Sequence, residues 1–119
     1  MWMSDLDHMI AYSVAALASG DQNRIQSVVR DLAEDWPAQS ALTVSFALTS
    51  AAAELEGPSI KDQDAANSAY RLASLVAADV MAIEAMGQSN AKTTHLLQFW
   101  QRVDPFFVKT AGPQFIPSL

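Results

Sequence analysis

ASGDQNRIQSVVRDLAEDWP, residues 18–37, carries both ends of a helix and one clear face between them. Ile25, Val28, Val29, Leu32 and Trp36 recur at three- and four-residue spacing, which places them on one stripe of a helix. Arg24, Gln26, Arg30, Asp31, Glu34 and Asp35 fall off that stripe and face water. Asp21 is placed to cap the start. Pro37 ends the helix by biasing Trp36 toward extended backbone. Just upstream, Gly20 suits a left-handed position closing an earlier helix. The turn between the two is so short that they must be antiparallel neighbours.

Upstream, a helix is expected over 5–18. Ser4 caps it with Asp7 three residues later, and Leu6, Ile10, Val14 and Leu17 repeat at helical spacing. Downstream, a third helix is expected over 38–55, with Pro37 at or near its first turn. Ala41, Val44, Leu48, Ala51 or Ala52, and Leu55 make its stripe. Leu42 and Phe46 lie off it, so this helix is expected to be contacted on more than one side.

GPSIKDQD, residues 57–64, is the main break. Asp62 or Asp64 is expected to cap a fourth helix over about 62–86, ending at Gly87. Ala69, Leu72, Ala73, Leu75, Val76, Val80, Met81 and Ile83 cover most of its circumference, which makes it the central apolar helix. A fifth helix follows with Ser89 or Asn90 as cap and runs to about 103. Leu96, Phe99, Trp100 and Val103 share a face, and Pro105 ends it. No segment alternates as a half-buried strand does. The fold expected is an all-α, compact bundle of about five helices in a single domain over 1–119.

Residues 104–119 are different. Half of the aromatic residues lie from Phe99 onward. Phe106, Phe107, Val108, Phe115 and Ile116 stand among Pro105, Gly112, Pro113 and Pro117, which forbid a long helix. An irregular, extended tail is expected, packed on its own bundle or on a second subunit. Phe99, Trp100, Phe106, Phe107, Phe115 and Ile116 form the candidate interaction surface.

The hairpin around Gly20 has the Gly-Asp turn and terminal Pro of a tetratricopeptide unit. The preceding helix lacks that unit's Trp, Leu-Gly and Tyr, and the loop at 57–64 falls where a copy would begin. It reads as an ordinary helical hairpin.

Composition narrows the function. The chain has 119 residues, 50% hydrophobic and 17% charged, which is enough apolar content for a core. With no Cys, disulfides, thiolate metal sites and thiol catalysis are excluded. The net charge of −6 opposes a phosphate backbone, and the seven basic residues are scattered, so neither nucleic acid nor a membrane surface is an expected partner. Asp5 and Asp7 stand where a secretory signal carries positive charge, and a cytoplasmic location is expected.

Chemistry-bearing constellations are sparse. His8 has Asp5 and Tyr12 on its helix face, too few ligands for a metal. His95 lies near Lys92, Phe99 and Arg102 without a carboxylate to orient it as a base. Asp31, Glu34 and Asp35 crowd the negative end of the second helix, read as a solvated acidic face. Asp79 stands among Leu75, Val76, Ala82 and Ile83, so it is either a structural carboxylate with a partner from another helix or a pocket acid. No nucleotide or catalytic motif is present, and no cofactor is expected. The sequence therefore points to a non-enzymatic helical protein working through protein contacts, self-association included. The rival is a small-molecule binder or enzyme with a pocket near Asp79.

Overall fold

A computed structural model describes residues 4–102 of the chain. Five helices follow in order: α1 (Asp5–Ala18), α2 (Gln22–Asp35), α3 (Ala41–Leu55), α4 (Ile60–Ala85) and α5 (Thr93–Arg102). The tail expected at 104–119 lies outside the described residues, and with it Phe106, Phe107, Phe115 and Ile116.

Local chemistry explains most helix ends. Ser4 and Asp7 form a reciprocal capping box at α1. Asp21 accepts from the Asn23 amide at α2. Gly20, with φ of +76°, takes the left-handed turn between them, which a side chain would strain. At α4 the cap is Ser59, whose hydroxyl accepts from the Asp62 amide at 3.0 Å. The helix thus starts earlier than a cap at Asp62 or Asp64 allows, and Asp62 sits in its first turn, facing the positive end of the dipole.

Three bonds fix the order of the helices. Tyr12 to Asp31, Ser45 to the Ala73 carbonyl and Trp100 to Asp79 each join residues placed symmetrically about a turn, as antiparallel hairpins require. The chain runs up and down. The start of α1, the end of α2, the start of α3, the end of α4 and the start of α5 share one end of the bundle.

The pairing of α3 with α4 is the most extensive, and α3 also meets α1, α2 and α5. The buried residues of these two helices are rich in alanine: Ala41, Ala47, Ala51 and Ala52 on α3, and Ala66, Ala69 and Ala73 on α4. Small side chains let the two backbones approach closely. Ser45 reaches across to the Ala73 carbonyl at 2.8 Å. On α4 the buried residues are Ala66, Ala69, Ala73, Val76, Val80 and Ile83, a strict three-four alternation on one side. Leu75 and Met81, read as part of a nearly all-round apolar surface, are exposed.

One core cluster draws on all five helices, including Met9 and Leu17, Val28, Val29 and Leu32, Val44 and Leu48, Val76 and Val80, and Leu96 and Trp100. Ile25 and Trp36 pack at its margin, half-buried. On α1 the deepest line is Met9, Ser13, Ala16 and Leu17, whereas Leu6, Ile10 and Val14 flank it. Ser13 is tolerated there because its hydroxyl donates to the Met9 carbonyl one turn back at 2.8 Å.

The starts of α3 and α5 are made together. Ser40 and Lys92 form an isolated antiparallel β-bridge. The Ala41 amide donates to the Ala91 carbonyl at 2.8 Å, and the Thr93 amide to the Gln39 carbonyl at 2.9 Å. These are the first helical residues of α3 and α5, whose amides have no partner within their own helix. Each loop therefore supplies the acceptor the other helix lacks, and the Ser40 side chain makes no capping bond. Thr93, fully buried, adds a hydroxyl bond to the Trp36 carbonyl. This clasp moves the start of α3 from the expected 38 to Ala41 and that of α5 from Ser89 or Asn90 to Thr93. Pro37 stays in the preceding turn, where its carbonyl accepts from the Thr94 amide.

Candidate functional site

Asp79 is half-buried on the flank of α4 toward α5. The indole Nε1 of Trp100 donates to its Oδ2 at 2.8 Å. Trp100 is completely enclosed, so its one polar atom needs an acceptor inside the protein. Asp79 supplies it. The carboxylate thus holds the largest core side chain of α5 against α4. Grooves of about 430 Å³ and 340 Å³ on the surface are lined by other residues.

Trp100 is therefore a core residue, and its place in an outward interaction surface gives way to that role. Phe99, one position along, is half-buried and packs against the edge of the core.

The titratable residues of α1 and α2 form a second polar node. The Tyr12 hydroxyl donates to Asp31 Oδ2 at 2.7 Å, and Ser27 donates to the same oxygen at 3.0 Å. Arg30 stands 3.5 Å from Asp31 Oδ1 and 3.9 Å from Glu34. Asp31 thus ties the first hairpin together, while Glu34 and Asp35 are exposed. Burial first, and then the bond and charge of Asp31, push the Tyr12 phenol from 10.0 up to about 12. The folded chain holds this proton more tightly than the unfolded one. The stabilisation is complete below pH 10.0 and is lost as pH rises through about 12. Tyr70, exposed, is also raised, chiefly by its bond to Glu56. In an alkaline titration followed by tyrosinate absorbance, Tyr12→Phe is expected to remove a component near pH 12 that Tyr70→Phe retains. The loss of the Asp31 bond should cost about 1 kcal/mol. A Tyr12→Phe titration identical to that of the wild type rules out the assignment.

The neighbours of His8 are engaged elsewhere, and His95 caps a helix. Around His8, Tyr12 is engaged by Asp31, and Asp5 accepts from the Gln39 side chain at 3.0 Å. His95 Nδ1 accepts from the Lys92 amide at 2.9 Å, a side-chain cap at the start of α5. Among the described residues no group of three or more His, Asp or Glu could hold a metal ion. Among them, too, no helix is long and apolar enough to cross a membrane.

What the sequence did not single out is the outward face of α3. Leu42 and Phe46, expected to be covered within the chain, are 53% and 56% exposed. They stand one turn apart on the side away from the buried Val44, Leu48 and Ala51. With Leu6, Ser40 and Thr43 they line a shallow groove of about 290 Å³ between α3 and the start of α1. The signal was available as spacing: 42 and 46 lie off the stripe that α3 buries.

No protein-family model, curated protein or solved structure matches the chain.

Proposed function

We propose that this is a non-enzymatic helical protein that acts through protein contacts, and that it self-associates through the outward face of α3. Single exposed apolar side chains are ordinary on protein surfaces. A leucine and a phenylalanine, neighbours at four-residue spacing and both more than half exposed beside an apolar groove, are not. That pair carries the reading. In the proposed pairing, two copies would meet about a two-fold axis, with the Phe46 ring of one set beside Leu42 and the groove of the other. The polar residues support the same reading from the other side. Asp79 holds Trp100, Asp31 holds Tyr12, and His95 caps α5, so these groups are engaged in the fold.

The test is the mass in solution. At micromolar concentration the wild type is expected to scatter light as an assembly heavier than its 12.9 kDa monomer. Leu42→Glu with Phe46→Glu is expected to run as a monomer, and its stability should change by less than about 1 kcal/mol because both sites face water. A wild type that stays at monomer mass, or a double variant that stays assembled, overturns self-association through this face.

A further inference from the structure

Lys92 is the central residue of the clasp between the starts of α3 and α5. It is the bridge partner of Ser40, and its neighbours Ala91 and Thr93 make the two amide bonds with Ala41 and Gln39. Both backbone groups of Lys92 itself bond to one residue. Its amide donates to Nδ1 of His95 at 2.9 Å, and its carbonyl accepts from the His95 amide at 2.8 Å. His95 is the third residue of α5 and reaches back to the residue before the helix. Glutamate or glutamine fills that place in a capping box, and both accept throughout the neutral range. Imidazole does not. A ring nitrogen accepts only while its lone pair is free, so the neutral ring keeps its proton on Nε2, and a second proton goes to Nδ1 itself.

We propose that His95 is a proton-operated latch: with the ring neutral it closes the start of α5 onto Lys92, and with the ring protonated it releases that residue. Imidazole is the side chain that changes charge between about pH 5 and 8. Two effects act in the same direction. The added proton turns Nδ1 from an acceptor into a donor facing the Lys92 amide, which is also a donor. It also places a positive charge in the first turn of α5, at the positive end of the helix dipole. The surroundings do not offset this. His95 lines a groove to which α4 and the turn after it bring Ile83, Met86 and Gln88, and α5 brings Gln98, Phe99 and Arg102. Of these six, only Arg102 is charged, and it is positive, as is Lys92. Asp79 on α4 is bonded to Trp100. On α2, Glu34 and Asp35 are exposed and do not line this groove. α3 carries no charge before Glu54. The clasp is therefore firmest with the ring neutral and loosens as pH falls.

The test compares the full wild-type chain with His95→Gln and His95→Ala. His95→Gln keeps an acceptor that does not titrate, and His95→Ala removes the acceptor at every pH. The readout is amide hydrogen exchange at Lys92, expressed as a protection factor so that the intrinsic pH dependence cancels. In the wild type, protection at Lys92 is expected to fall on the order of tenfold between about pH 8 and about pH 5. It should approach the His95→Ala value, which is low throughout. His95→Gln is expected to stay within about twofold over the same range. His8 is present in all three chains, so its titration cancels. Wild-type protection that does not change with pH, or a His95→Gln chain that loses it as the wild type does, overturns the proposal. A second measurement needs no variant. The imidazole nitrogen resonances of His95 should show Nε2 with a proton and Nδ1 without one at about pH 8. A ring that carries its proton on Nδ1 at that pH also overturns the proposal. Neither readout involves Leu42 or Phe46, so failure here is distinct from failure of the proposed self-association.

Discussion

Val29→Asp is expected to leave the chain unfolded at room temperature. Val29 is 1% exposed and sits between Val28 and Leu32, which are fully enclosed. A carboxylate there has to lose its hydration within an apolar cluster, or else take up a proton and remain poorly bonded. Either way the cost should exceed about 4 kcal/mol, a large part of the roughly 5–15 kcal/mol that holds a domain of this kind folded. Circular dichroism should show lost helicity, and the thermal transition should be shifted far down or absent. Gln26→Asp, on the exposed side of the same helix, is the matched control and should melt within a few degrees of the wild type. A normal melt for Val29→Asp would mean that α2 presents a different face to the core.

The second large effect is expected at Trp100. Trp100→Ala removes the largest fully buried side chain and should cost about 3–5 kcal/mol through lost burial and an unfilled cavity. Trp100→Phe separates the ring from its polar atom. Most of the apolar contact remains, but the N–H donor to Asp79 is gone, so a loss of about 1.5–3 kcal/mol is expected from the charged hydrogen bond. Asp79→Asn keeps an acceptor oxygen and should fold with a loss of about 1 kcal/mol, retaining whatever association the wild type shows. In the Trp100→Phe background, Asp79→Asn should cost less than in the wild type, because the two residues share one interaction. Additive costs by urea denaturation would show that the bond contributes nothing. Trp36→Ala, by contrast, should fall below the Trp100→Ala value, since that ring is half-buried at the margin of the core.

The fold was largely legible because its information is local. Ser4 with Asp7, Asp21, Gly20, Gly57 and Gly87 punctuate the chain, and the stripe of α2 names its own buried face. The stripe of α1 was legible only to within a turn. Ser13 is a poor core residue by type, yet it lies at the centre because its hydroxyl has a bond within its own helix. The starts of α3 and α5 were misplaced for a different reason. Their amides are satisfied by carbonyls about fifty residues away, and no local pattern encodes a tertiary cap. Overestimating the buried circumference of α4 has a third cause. Periodicity reports which residues are apolar, not how many neighbours exist to cover them, so Leu75 and Met81 counted as core.

The site was less legible than the fold. Asp79 drew notice as a carboxylate among apolar neighbours, and it is indeed a group of consequence. Its bond to Trp100 depends on α5 lying antiparallel to α4 in one register, which the lone sequence does not state. Leu42 and Phe46 were visible as off-stripe residues, but whether another helix covers that side is a question of packing.

The mutual capping of α3 and α5 bears on how the molecule opens. The ten described residues of α5 would, by themselves, make a marginal helix in water. Here it is not free to fray. Lifting α5 away breaks the bond from Thr93 to Gln39 and, in the same event, exposes the Ala41 amide that starts α3. The opening of α5 and the loosening of the first turn of α3 thus form one cooperative unit, although they are remote in sequence. Amide hydrogen exchange at Ala41 and Thr93 should report a common opening free energy. The most extensive helix pair of the bundle, α3 with α4, therefore has its integrity at one end tied to α5.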